Sequence, residues 1–251
     1  MVALAGMNLV SGAVALALLP SVRVPPGPVL AVVALSVALH VGYKLALASL
    51  YSGTHLSRVY PLARGMTPIV AMVLGFAVLG DRPSNVALVG IVAVSAGILG
   101  LVVERSAVRL SPAQLGAAFA AGSAVACYSV VDAYGIRLSS DWLGFTAWLV
   151  ACDSGAFVLY VIALRRRAAL QTWRTQWGRT LISGLLGTIS FGIFAWALGR
   201  AQVGMVVALR ETSIVFAALI GAMVLREAVT LARWLSALLV MAGVAAVSFF
   251  G

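Results

Sequence analysis

Val59–Asp81 reads VYPLARGMTPIVAMVLGFAVLGD, and Met205–Glu227 reads MVVALRETSIVFAALIGAMVLRE. The two stretches align at an offset of 146 residues, the separation of Arg64 and Arg210. At that offset Ala71 meets Ala217, Gly75 meets Gly221, Val78-Leu79 meets Val224-Leu225, and Asp81 meets Glu227. The register runs on without a gap to Val94 with Val240 and to Ala96-Gly97 with Ala242-Gly243. Apolar residues match by chance freely. An arginine, two glycines and an acid in one register do not, so the chain is read as an internal duplication.

The composition sets the class. Hydrophobic residues make up 63% and charged residues 10%, with mean hydropathy +1.09. A soluble domain is about a quarter charged. Nine apolar spans follow one another: Val2–Leu19, Pro28–Leu50, Ser57–Leu79, Asn85–Val103, Pro112–Ile136, Trp142–Leu164, Thr180–Leu198, Gln202–Leu225 and Ala232–Phe250. At ~1.5 Å per residue, each covers most or all of a ~30 Å hydrocarbon core. This is an all-α, multi-pass helical bundle. The net charge of +10 is no nucleic-acid footprint, because nearly all the arginines lie between apolar runs, where they meet headgroups. Val2–Leu19 has neither a basic region before it nor a clear cleavage site after it, so it is read as a mature helix. Cys127 and Cys152 lie inside apolar runs and read as small core residues, with no disulfide or metal spacing.

Connections are short and built from turn residues, such as Gly80-Asp81-Arg82-Pro83. Ser111-Pro112 reads as an N-cap followed by a first-turn proline. The long connection Arg165–Arg179 carries Trp173 and Trp177 among arginines and reads as interfacial. Residues 1–103 form a first repeat of four helices and residues 111–251 a second of five. The same offset puts the start of a complete first repeat upstream of Met1, which predicts one further N-terminal helix. The alternative is a nine-helix protein. An odd helix number makes each copy enter the membrane from the opposite side, giving an inverted-topology repeat. Ten arginines, at positions 58, 105, 109, 165–167, 174, 179, 226 and 233, fall on one side, and Arg23, Arg82, Arg137 and Arg200 on the other. The positive-inside rule makes the first side cytoplasmic and turns the C-terminus outward.

The duplicated block resembles the EamA branch of the drug/metabolite transporter superfamily. The resemblance rests on Gly75–Asp81 with Gly97 and on Gly221–Glu227 with Gly243. It implies ten helices in two five-helix repeats, of which the first helix is absent here. It also implies a transporter rather than an enzyme, an export direction, a bacterial cytoplasmic membrane and a cytoplasmic C-terminus. The last point disagrees with the arginine distribution.

An ionisable side chain at the bilayer centre costs at least ~2.5 kcal/mol, so each one is a candidate site. His40 and Lys44 are one turn apart on the second span, with Tyr43 beside them. Lys44 can instead snorkel to an interface. Arg64 sits among Pro61, Gly65 and Pro68, a pattern that predicts interrupted backbone hydrogen bonding. Arg210 is its repeat mate, with Asp132 or Asp153 as candidate partners. Substrate-binding candidates are therefore His40, Tyr43, Lys44, Arg64, Tyr128, Trp196 and Arg210. Carboxyl groups in low dielectric bind protons more readily than in water, so Glu211 first, Asp132 second and Asp153 are proton-coupling candidates. Structural ion pairing between the repeats is the plainer role for the same residues, and packing is the plainer role for the aromatics.

Both charge signs together suit a zwitterion such as an amino acid, or a related organic acid. Secondary active transport is the leading function. A non-transporting or truncated membrane subunit is the alternative. An integral-membrane enzyme lacks support: there is no HExxH or GxSxG, and His40 and His55 are the two histidines. No phosphate-binding GxxxxGK[ST] motif is present, so an ion gradient supplies the energy. The expected partners are a small-molecule substrate, protons and the lipid bilayer, with a homodimer as a candidate assembly. No cofactor, metal or nucleic acid is expected.

Overall fold

The computed structural model describes residues 1–50, 56–104, 111–216 and 230–250. Among them are nine α-helices: α1 (Val2–Leu18), α2 (Gly27–Leu50), α3 (Leu56–Leu74), α4 (Asn85–Glu104), α5 (Pro112–Ser139), α6 (Trp142–Thr175), α7 (Trp177–Leu198), α8 (Val203–Arg210) and α9 (Leu231–Phe250). Among the described residues, seven helical stretches are long and apolar enough to cross a membrane. In α4 the apolar part is shorter, Asn85–Leu101. Large apolar side chains such as Phe76, Val89, Leu186, Ile193, Leu235 and Phe249 point outward. In water such a surface drives association, whereas in a bilayer it meets acyl chains. The protein is a multi-pass membrane bundle.

Short polar side chains set the helix starts. Ser111 and Gln114 cap α5 reciprocally, with Oγ accepting from the Gln114 N–H and Oε1 from the Ser111 N–H. Asp141 Oδ1 accepts from the Gly144 N–H at the start of α6. Ser84 caps α4 through the Ala87 N–H, and Thr230 caps α9 through the Arg233 N–H. Helix α3 closes with a π-helical turn, Gly75–Leu79, and then Gly80 at φ +69°. That left-handed conformation favours glycine and turns the chain into the loop.

The helices form two compact units. The first comprises Met1–Ala48 and Val131–Arg200, the second Ser49–Val130 and Ala201–Gly251. Each unit therefore takes helices from both halves of the sequence. The first unit has a core of Ala5, Phe157, Val161 and Ala169, where α1 lies on α6. The second has a core of Ile91, Val94, Ile98, Ala208, Val215, Val240 and Val247.

In the second unit α4 and α9 run antiparallel at very close range. A Cβ on Gly97 would lie 2.8 Å from the Ser236 carbonyl and 2.7 Å from Val240. One on Gly243 would lie 2.6 Å from the Gly90 carbonyl and 2.8 Å from the Val94 nitrogen. Small residues let helix backbones approach where burial of apolar area gives no driving force. Gly243→Val should therefore cost about 1–3 kcal/mol. Gly192→Val should cost little, because nothing lies within 4 Å of its Cβ position. Thermal melts of the two variants in detergent check this, and equal shifts would show that the contact is not limiting.

Two sequence expectations change. The Pro61–Pro68 stretch stays α-helical within α3 instead of breaking. The interruption comes instead in the eighth span, expected to be continuous over Gln202–Leu225. There α8 ends at Arg210 and a second helical piece covers 212–216. The Glu211 N–H is shared between the Val207 and Ala208 carbonyls, and the Ile214 N–H bonds the Glu211 carbonyl, so the turn tightens at this residue. The connection expected at 165–179 is itself helical over 166–175. It follows a kink at Arg165 (φ −139°, ψ 36°). The Gly221–Glu227 half of the echo, with Arg105, Arg109 and Arg226, lies outside the described residues.

Candidate functional site

Three polar residues follow at every fourth position in the middle of α2: Ser36, His40 and Lys44. Spacing of i, i+4, i+8 stacks them in one stripe, each about one turn above the last. Two acids from other helices of the first unit meet that stripe. Asp132 of α5 accepts from the Ser36 hydroxyl through Oδ1 and lies 3.0 Å from His40 Nε2 through Oδ2. Asp132 is 1% exposed, so both oxygens are satisfied by protein alone. The His40 ring meets the edge of Phe191 of α7 at 5.8 Å between centroids.

One turn further, Lys44 donates to Asp153 of α6 and to Asn8 Oδ1 of α1 at 2.6 Å. Its ammonium sits 5.2 Å from the centre of the Phe157 ring, within cation–π range. Lys44 is therefore held inside the bundle rather than snorkelling. The small residues around Asp153 act as expected: a Cβ on Gly12 would lie 2.9 Å from Ser154, so α1 can bring Asn8 close.

The third acid lies in the second unit. Glu211 is fully buried, and its Oε1 accepts from Arg64 Nη1 at 2.7 Å. Its Oε2 is buried without a hydrogen-bond partner among the described residues. Arg64 is placed by tight helix contacts on both sides. A Cβ on Gly122 of α5 would come 2.6 Å from the Ala63 carbonyl, and one on Gly65 would come 2.8 Å from Leu99 of α4. Arg210, the repeat mate of Arg64, ends α8 next to Glu211. Asp132 is engaged by Ser36 and His40, and Asp153 by Lys44.

Each of the three acids thus pairs with a base, and all lie within apolar spans. That arrangement can release a charge only when another charge or a proton replaces it, since an unpaired buried ion costs about 3–5 kcal/mol. The sequence model of the EamA-like transporter family matches residues 114–249, over half the chain. The chain belongs to the EamA-like transporter family. Members of this family are transporters, not enzymes. One solved crystal structure superposes on this EamA-like chain with a TM-score of 0.76, covering 98% of it and 86% of the other chain, at 18% identity. At that identity the likeness concerns the fold. No curated protein matches the sequence.

The remaining candidates of this EamA-like protein are dispersed. Tyr128 is buried on α5 one turn before Asp132, and Tyr43 is half-buried on α2. Ser129 turns away from Asp132 and bonds the Val125 carbonyl of its own helix. Trp196 is 45% exposed near the end of α7, with the Arg200 guanidinium 4.5 Å over its ring, as in an interfacial anchor. Cys152 is exposed rather than a core residue. Sequence reasoning missed Ser36 and Asn8. Ser36 was findable as the next step of the His40–Lys44 stripe, and Asn8 as a lone amide within an apolar run. It also missed what Asp81 does. Asp81 Oδ2 accepts from the Val203 N–H at 2.8 Å and caps α8 from a distant loop, in place of Gln202, whose side chain makes no cap.

Proposed function

We propose that this protein is a secondary active transporter of the bacterial cytoplasmic membrane. It exports a small polar metabolite, an amino acid or related zwitterion or organic acid, in exchange for protons. The observation that carries this reading is the pair of acid–base contacts on successive turns of α2, His40–Asp132 and Lys44–Asp153. A zwitterion carries the same two charges. Its carboxylate competes for Lys44 and His40, its ammonium for Asp153 and Asp132, and each exchange leaves every buried charge paired. A proton does the same work on a single acid: it neutralises the carboxyl and frees the base for substrate.

Alternating access is assigned to two inverted repeats, 1–103 and 111–251, moving against each other. The offset of 146 supports this at three levels. It maps α4 onto α9 end to end, and the cap Ser84 onto the cap Thr230. It also maps the Gly97 contacts with Ser236 and Val240 onto the Gly243 contacts with Gly90 and Val94. A reciprocal contact between antiparallel helices is what a two-fold axis perpendicular to them produces.

Transport by the full chain in proteoliposomes, screened over amino acids and organic acids with and without a proton gradient, tests the proposal. Glu211 and Asp132 are the assigned proton carriers. Glu211→Gln or Asp132→Asn mimics the protonated form. For the carrier, exchange at zero gradient should persist while uptake driven by a pH gradient is lost. If both variants keep full pH-driven transport, the acids are structural partners of Arg64 and His40 and proton coupling through them is wrong.

A further inference from the structure

The segment 165–179 contains five arginines and no acid. It begins at the Arg165 kink, where α6 changes direction, and ends as α7 starts after the Gln176 turn (φ −119°, ψ 26°). The inner face of this short helix is tied down. Ala169 is fully buried against Ala5, Phe157 and Val161. Trp173 is drawn in with it: its indole N–H donates to the Val2 carbonyl at 3.0 Å, and its ring faces Gly6. Trp173 is thus not the interfacial anchor its spacing suggested, whereas Trp177 is 65% exposed.

The outer face is basic and exposed. Arg167 and Arg174 are two turns apart on one side of the helix, and Leu170, 46% exposed, lies between them. Arg165, Arg166 and Arg179 are also exposed. No carboxylate of the same unit answers them among the described residues. Asp132 and Asp153 hold His40 and Lys44, and Asp141 caps α6. Like charges fixed this close repel one another unless anions sit between them.

We propose that this helix is a platform for anionic phospholipid headgroups. The guanidinium fork matches a phosphate diester in geometry and charge. Leu164, Leu170 and Trp177, all outward-facing, add an apolar contribution that only a lipid can use, at the depth where headgroups give way to acyl chains. Free phosphate would meet the arginines but not these apolar groups, so the occupant is lipid. The contacts to Val2 and Gly6 tie the platform to the start of α1, and lipid there would steady that helix.

The experiment uses the full chain in nanodiscs of equimolar phosphatidylglycerol and phosphatidylcholine. Native mass spectrometry then counts the lipids retained after transfer to detergent. Wild-type protein should retain phosphatidylglycerol preferentially. Arg166→Gln/Arg167→Gln/Arg174→Gln should lower that preference about tenfold or more, because each arginine near an anionic surface changes binding roughly fivefold. Arg23→Gln/Arg82→Gln/Arg200→Gln removes the same charge from exposed sites elsewhere and should leave the preference intact. Millimolar inorganic phosphate should displace nothing. Equal retention by the folded 166/167/174 variant, equal loss in the charge-matched variant, or displacement by phosphate would each overturn the assignment.

Discussion

Arg64→Leu is expected to lower the stability of the second unit by about 3–5 kcal/mol, the largest effect of any single change there. The loss does not measure the ion pair alone. Glu211 is fully buried, its Oε2 already lacks a hydrogen-bond partner among the described residues, and the substitution removes the guanidinium from which its Oε1 accepts. Adding Glu211→Gln removes the stranded charge, so the double variant should regain most of the loss. Unfolding by titration with a denaturing detergent reads both, and the coupling should lie near the upper end of about 0.5–3 kcal/mol. If the single and double variants unfold alike, Arg64 and Glu211 are not energetically linked.

Lys44→Met is expected to abolish substrate exchange as well as to destabilise the first unit. The ammonium binds Asp153 and Asn8 and faces the Phe157 ring, so its removal leaves the Asp153 carboxylate in an apolar wall. Asp153→Asn added to Lys44→Met takes that charge away and should restore the thermal melt. Exchange should stay absent, because under the proposed function Lys44 is the cation that receives the substrate carboxylate. Recovery of exchange together with stability would make the pair a structural strut and remove Lys44 from the site. Comparing melt with exchange separates the two roles in one set of proteins.

The Arg64–Glu211 pair also departs from the internal repeat. Glu211 follows Arg210, the repeat mate of Arg64, but the residue following Arg64 is Gly65. An acid at that position would be crowded, because a Cβ there would lie 2.8 Å from the Leu99 side chain. Whatever symmetry the backbone keeps, this charge pair is formed in one direction only. The tightened turn falls at the same residue, Glu211, and its repeat counterpart in α3 remains regular helix.

The sequence by itself determined the properties that depend on neighbours along the chain. Apolar runs long enough to span a bilayer set the class. Ser111-Pro112 placed the start of α5, and the single offset of 146 anticipated equal bounds for α4 and α9. The one-turn spacing of His40 and Lys44 predicted a shared face, because helix periodicity is local. Tertiary structure alone decided which acid meets which base. Asp132, Asp153 and Glu211 lie about 90 to 150 residues from His40, Lys44 and Arg64, and any of these bases suited any of these acids. The choice was made by where helices approach: Gly12 at Ser154 in the first unit, and Gly122 at Ala63 in the second. The two tryptophans of 165–179 were equivalent in sequence and separated for the same reason. Trp173 lies on the side of α6 that packs on α1, whereas Trp177 begins α7 beyond the Gln176 turn and is exposed.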